Sequence, residues 1–233
     1  MSVLRNVGKI RPSSTALFLC DMQVKFRPSI THFDAIVQNS NKVLAAAQHM
    51  EGDIVPVILL VMMFPFLSVP TFATEQYPKG LGPTVPEIEL AKYNIVPYAK
   101  TCFTMILPEL MEKFKAAQPE TKSVILCGIE TQACITATTL GRTSRSLTDH
   151  CNMFIFTYLD LLEMGIDVHI PVDCVSSRSM TDRKFSLDRL RQSGAFLTTS
   201  ETVILGFAPD AAHPKFKGLQ KLVMEPSKDT GLL

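Results

Sequence analysis

The chain has 233 residues, 46% of them hydrophobic and 19% charged, and a formal net charge of +1. That length suits one α/β domain with a sizeable core, and the composition excludes a disordered or low-complexity protein. A charge this close to zero supplies no field to gather nucleic acid or an anionic membrane, so neither is an expected partner.

The N-terminal stretch MSVLRNVGKIRPSST has no apolar signal core. Reduced thiols in an intracellular, cytoplasmic protein are therefore expected, with the mitochondrion and nucleus left open. TALFLCDMQ predicts a buried strand with Asp21 at its C-terminal end. FDAIVQNSNKVLAAAQHM has helical apolar spacing. IVPVILL starts a second strand, followed by Glu75, Gln76 and Tyr77 in a loop. It also opens the uncharged run from Ile54 to Ala73, which reaches the length of a membrane span, about 20 residues. Pro56, Pro65 and Pro70 break that run as a helix, and no span is expected. TVPEIEL and LPELMEKFKAA predict helices. TKSVILCGI is a strand stopping at Gly128, and TQACITATTL is a helix capped by Thr131. LDLLEMG is a helix end closed by Gly165, and IDVHIPVD is a strand ending in Asp173. TDRKFSLDRLRQSG is a helix closed by Gly194, with its charges on a solvated face. AFLTTSETVILGF gives a strand, a Ser200 cap and a last helix.

Continuously apolar strands alternating with helices predict a mostly parallel sheet covered on both faces, a three-layer α/β/α single domain. In such sheets ligands bind beyond the C-terminal strand ends, where Asp21, the residues after Gly128, and Asp173 fall. No G-x-G-x-x-G or G-x-x-x-x-G-K anchors a nucleotide, and no C-x-x-C or H-E-x-x-H spacing suggests a metal.

CGIETQACI raises the question of a nucleophile. If Thr131 caps the helix, Cys134 lies in its first turn, where the positive helix end favours thiolate and free N–H groups can meet an oxyanion. A packed strand–helix junction is equally a place for a buried structural cysteine. A nucleophilic thiol needs a proton acceptor and a group that fixes its charge. His169 lies inside a strand, and His32, His49, His150 and His213 lie in helical or loop sequence. Asp21 and Lys100 remain as candidates, against the plainer readings of a loop acid and a solvated lysine.

LFLCDMQVKF, KTCFTM and CGIETQACI resemble the three motifs of the isochorismatase-like cysteine hydrolases. DCVSSRSMTDRKFSLDRLRQSGAFLTTSE is similar to the same family, and TEQYPKGLGPTVPEI and HPKFKGLQKL resemble the eukaryotic isochorismatase domain-containing proteins. The resemblance implies a triad: Asp21 as general base, Lys100 stabilising thiolate and substrate charge, and Cys134 as nucleophile. It also implies a cis peptide between Ile129 and Glu130 shaping an oxyanion hole, with the Ala133 and Cys134 amides as donors. The implied reaction is hydrolysis of a small-molecule amide or related C–N bond through an acyl-enzyme. The alternative is a binding or scaffold protein on the same fold. No cofactor is implied. The nicotinamidase branch has a metal site of Asp and His residues with no counterpart near Tyr77 to Gly82, so no metal is expected. The branch named for isochorismate lacks the cysteine and cleaves an ether. Homo-oligomers are common in the family and expected here.

Other residues carry two readings each. Phe26 walls the pocket or packs in the core. Glu75, Gln76 and Tyr77 line the pocket or form a turn. Arg178 holds a substrate carboxylate or, the favoured reading, serves structure. Cys20, next to Asp21 on a strand, points to the opposite face and belongs to the core. Cys102 is core or supports Lys100, and Cys127 and Cys174 pack. Two stretches, about 59–72 and 141–159, depart from the family pattern. Both begin near Val or Gly and are Phe-rich towards their ends, as translated introns or splice variants would be. Genuine loop insertion is the other reading, since surface loops tolerate length. The second stretch would cut the Cys134 helix after about two turns.

Overall fold

A computed structural model describes residues 7–50, 69–141 and 161–232. Its first strand, β1 (Thr15–Cys20), is buried at every residue. Leu17 and Leu19 face one core and Ala16, Phe18 and Cys20 the other. A strand covered on both faces needs no polar alternation, which is why it reads as an unbroken apolar run. The same holds for β4 (Ser123–Ile129), also buried throughout. The sheet is completed by β2 (Thr71–Gln76), β3 (Tyr98–Lys100), β5 (Asp167–Pro171), β6 (Val175–Ser176) and β7 (Phe196–Thr198). Its order is β3-β2-β1-β4-β5-β7, with β6 also pairing β4, and every pairing among the described strands is parallel.

Helices α1 (Phe33–His49), α6 (Ser200–Gly206) and α7 (Phe216–Met224) cover one face. Helices α3 (Pro108–Ala117), α4 (Thr136–Leu140) and α5 (Met180–Gln192) cover the other. The fold is the expected three-layer α/β/α arrangement. On the second face Phe18, Phe72 and Phe114 meet edge to face, with ring centres 5.7, 5.5 and 5.9 Å apart, the geometry that aligns ring edges with ring faces. The chain steps outward from β1 through β2 to β3, then returns to place β4 on the other side of β1. That reversal opens a crevice at the C-terminal ends of β1 and β4.

Several elements differ from expectation. IVPVILL lies outside the described residues, and the second strand is Thr71–Gln76, in register with β1 from Leu17↔Thr71 to Cys20↔Thr74. Thr71 and Phe72, at the end of the first atypical stretch, are thus sheet residues, and Glu75 and Gln76 end a strand rather than form a loop. TVPEIEL is not helical. Thr84 bridges to Gln23, and its amide and hydroxyl both donate to Glu75 Oε1, at 2.6 and 2.9 Å. The hydrogen bonds of that segment go to the end of β2 instead of to a helix, and only Leu90–Tyr93 forms a short 3-10 turn.

Gly194 closes α5 with φ +102°, as expected, whereas Leu161–Gly165, the described part of LDLLEMG, forms a turn rather than a helix end, with Gly165 at φ +74°. The cap of α6 is Thr199, whose hydroxyl accepts from the Thr202 amide. Ser200 instead turns its amide and hydroxyl to the Asp173 carboxylate, so Asp173 docks α6 onto the end of β5. Arg183 is not on a solvated face. It is fully buried and holds the C-terminal segment through the carbonyl and hydroxyl of Thr230, and burial lowers its pKa to about 10.

The helix after β4 ends at Leu140, as the second atypical stretch implied. Residues 142–160, with His150 and Cys151, lie outside the description. The chain re-enters at the same helix end, where the Leu162 amide donates to the Thr139 carbonyl at 3.4 Å.

Two predictions follow from this packing. Gly128 has φ +125°, and a Cβ there would sit 2.1 Å from the Cys20 carbonyl oxygen. Gly128→Ala should cost roughly 2 kcal/mol or more, read from the urea unfolding midpoint. His169 is buried in β5, stacks on Phe196 with ring centres 5.1 Å apart, and has no hydrogen-bond partner at Nε2 among the described residues. Burial lowers its pKa to about 4, with Asp167 opposing. An unfolded histidine titrates near 6.5, so this contribution is complete above about pH 6.5 and is lost as pH falls towards the folded value. His169→Phe should flatten the decline of unfolding free energy between neutral and mildly acidic pH.

Candidate active site

Three strand ends meet at the crevice. After Cys20 the backbone turns left-handed, with Asp21 at φ +52°. The carboxylate swings inward: Oδ1 accepts from the Thr74 hydroxyl at 2.8 Å and Oδ2 from Lys100 Nζ at 2.6 Å. Both members of this ion pair are enclosed, with side-chain exposures of 0% for Lys100 and 1% for Asp21.

Lys100 ends β3. Its ammonium also reaches Gln76 Oε1 at 2.7 Å, the Cys102 and Phe103 carbonyls at 3.2 and 3.1 Å, and Cys134 Sγ at 3.6 Å. Burial alone would lower its pKa. The negative charge that Cys20, Asp21 and Cys134 can carry outweighs burial and holds the ammonium above the ordinary lysine range.

Cys134 lies in a π-helical turn, Thr131–Ile135, that follows a cis peptide between Ile129 and Glu130. Thr131 is not the cap. Its hydroxyl donates to the Ser176 carbonyl at 2.9 Å, tying the turn to β6. Glu130 occupies the cap position without a side-chain cap bond. The Ala133 amide, an expected oxyanion donor, is already engaged with the Glu130 carbonyl at 3.1 Å. The Glu130 carboxylate is held by Gln132 and by Arg178 Nε, the latter at 3.0 Å. Arg178 thus has the structural tie favoured for it.

Cys20 belongs to the core as expected, but not to the face opposite Asp21. Its Sγ does not point away from Asp21; it donates to Asp21 Oδ2 at 3.4 Å. The left-handed turn at Asp21 breaks strand alternation and brings the carboxylate round to the Cys20 face. Burial, followed by the contact with Cys134 and the charge of Asp21, pushes the Cys20 thiol well above its ordinary pKa. Periodicity gave no signal for this residue.

The support around Lys100 comes from β2. Gln23 donates from Nε2 to the Gln76 and Gly82 carbonyls at 3.0 and 2.6 Å and accepts from the Gln76 amide at 2.8 Å. Gln76 in turn donates to the Thr101 carbonyl at 2.8 Å, fixing the oxygen that faces Lys100. Glu75 is turned to Thr84. Tyr77, at φ +37°, gives its amide to the Lys100 carbonyl at 2.7 Å and leads into α2 (Pro78–Leu81), the residue being more than half exposed. Phe26 is half-buried against the α1 face. Cys102 supports Lys100 through its carbonyl.

Among the described residues, one group of three metal-donor side chains occurs: Cys20, Asp21 and Cys134, with donor atoms within 4.8 Å of one another. The Lys100 ammonium already occupies the cation position beside this group. The donor set does not fit a metal ion without expelling that charge. A cavity of about 350 Å³ bordered by Gln48, Thr71 and Tyr98 lies at the opposite end of β2 and shares no residue with the site. No helix of the described residues is long and apolar enough to cross a membrane.

The Isochorismatase domain model matches residues 15–145 and 146–202, its break falling inside the second atypical stretch. The chain is 48% identical to isochorismatase domain-containing protein 2 of Xenopus laevis, covering 100% of this chain and 95% of the relative. It is 45% identical to the Homo sapiens protein of the same name, covering 98% and 92%. A solved structure called MAR1 ribonuclease, from Caenorhabditis elegans, is 39% identical over 97% of each chain, with a TM-score of 0.75. The Escherichia coli YcaC gene product, described as an octameric hydrolase of unknown specificity, shares the fold at 20% identity and a TM-score of 0.68, covering 94% of this chain and 90% of that one.

Asp21→Asn leaves the buried Lys100 charge without its carboxylate and should destabilise the protein by about 3–5 kcal/mol in urea unfolding. Adding Lys100→Met should restore part of that loss, because the double variant buries no unpaired ammonium.

Proposed function

Because the chain belongs to the isochorismatase family, we propose that it is a cysteine-dependent hydrolase of a small-molecule amide or related C–N bond, acting through Asp21, Lys100 and Cys134. The observation that carries this reading is Lys100 Nζ, 2.6 Å from Asp21 Oδ2 and 3.6 Å from Cys134 Sγ at buried strand ends. Surface lysines make no such arrangement.

In this reading Asp21 takes the Cys134 proton and Sγ attacks the substrate carbonyl carbon. Lys100 offsets the charge on sulfur and then on oxygen in a site of low dielectric. The C–N bond breaks as Asp21 returns the proton to the leaving amine. Asp21 then deprotonates a water that cleaves the thioester. The turn through Ile129, Glu130 and Ala133 shapes the seat of the carbonyl, and Phe26, Gln76 and Tyr77 border the substrate. Protein groups suffice for each step. We extend the reading to a homo-oligomer, as described for the E. coli neighbour, and to a cytoplasmic location. Light scattering of the purified protein tests the oligomer.

A binding or scaffold role on the same fold is the competing reading, favoured by the end of the nucleophile's helix at Leu140. Iodoacetamide labelling with peptide mapping separates the two. Catalysis expects Cys134 to label faster than the other five thiols. It also expects turnover of at least one amide in a small-molecule panel, falling by about 10³-fold or more in Cys134→Ala. Uniformly slow labelling with no turnover would sink the hydrolase reading. Cleavage of RNA in place of amides would move the substrate class towards that of the C. elegans relative, against the weak attraction that a net charge of +1 offers polyanions.

A further inference from the structure

Cys20 is a second thiol in the candidate site, and the proposed hydrolysis leaves it without a task. Its Sγ, Cys134 Sγ and the Asp21 carboxylate lie within 4.8 Å of one another. Both cysteines face the same core, one from the end of β1 and one from the π-helical turn. Cys20 is completely buried, whereas Cys134 keeps 6% of its surface open to the crevice.

We propose that Cys134 is a peroxide-oxidation site and Cys20 its resolving thiol, the two closing a reversible disulfide. The inference rests on the reading of Cys134 as a reactive thiolate. In the first step Cys134 sulfur attacks a hydroperoxide oxygen. The S–O bond forms, the O–O bond breaks, and the leaving hydroxide or alkoxide takes up a proton. Sulfur is oxidised by two electrons to sulfenic acid and the peroxide is reduced. In the second step Cys20 passes its proton to Asp21 Oδ2, the acceptor it faces at 3.4 Å. Its sulfur attacks the sulfenic sulfur, the S–S bond forms, and the S–O bond breaks with hydroxide leaving as water on protonation. An external dithiol reverses the reaction by exchange and is itself oxidised to a disulfide.

Burial decides the order of events. Cys20 meets no solvent and holds its proton tightly, so it is a poor first target for the oxidant. Cys134 meets the oxidant first and has a partner thiol at hand before a second peroxide arrives. The molecule holds an internal comparison in Cys127 and Cys174, a neighbouring thiol pair on the other side of the sheet. Both are 0% exposed, so neither can take the first step.

The test treats the full chain with a small excess of hydrogen peroxide and maps non-reduced peptides by mass. A peptide pair joining Cys20 to Cys134 is expected, with no link between Cys127 and Cys174. After dithiothreitol, iodoacetamide labelling of Cys134 should return to nearly its starting level. In Cys20→Ala it should stay lost, because sulfenic acid proceeds to sulfinic acid. Cys20→Ser serves as a second variant should the alanine fail to fold. Sulfinic acid at Cys134 of the unaltered protein without a linked peptide, or recovery in a Cys20 variant equal to that of the unaltered protein, would overturn the proposal. Labelling before oxidation reports on the nucleophile separately. If Cys134 is no faster than the other thiols and no amide is turned over, the hydrolase reading fails, and diamide, a direct thiol oxidant, takes over the test. Linkage of Cys20 to Cys134 by diamide would still support the pair, and its absence would overturn it.

Discussion

The site is organised by one buried ion pair. Lys100 and Asp21 lie 2.6 Å apart with almost no solvent contact. Neither could be buried alone, since an isolated charge away from water costs several kcal/mol. Everything nearby offsets that cost. Thr74 supplies a donor to the carboxylate, while Gln76 and two carbonyls supply acceptors to the ammonium. Gln23 fixes Gln76 from below. The pair in turn requires β1, β2 and β3 to end at one level, so the register of the sheet and the charge balance of the site are a single constraint.

The sheet was legible because burial on both faces leaves a strong mark. β1, β4 and β5 read as apolar runs, and α1, α3 and α5 read by their spacing. Where burial was not the governing force, reading failed. TVPEIEL has helical composition, yet Glu75 captures Thr84 from a distance of nine residues in sequence, which no local pattern reveals. The strand Thr71–Gln76 was not read from sequence because TFATEQ carries little apolar signal, while register against β1 is a tertiary property.

Within the site, Asp21, Lys100 and Cys134 were recoverable only as a set. Each alone reads as a loop acid, a surface lysine or a packed cysteine. Strand position suggested the first and helix onset the third, and the lysine drew its significance from the resemblance. Cys20 was read correctly as core, but its facing was misread because alternation assumes that the strand continues. A single left-handed residue at Asp21 cancels that assumption and puts neighbours in sequence on one face. Thr131 was misread for a related reason: a hydroxyl that can cap a helix can equally reach a neighbouring strand, here β6.

The contact between the Leu162 amide and the Thr139 carbonyl bears on how such a chain tolerates change in length. It brings the two chain ends of the second atypical stretch side by side. For a closed loop of this kind the entropic cost grows only with the logarithm of its length, each doubling adding about 0.6 kcal/mol. Evolution or splicing can therefore lengthen or shorten the chain there at small thermodynamic cost, while the turn that carries Cys134 stays anchored through Ser176.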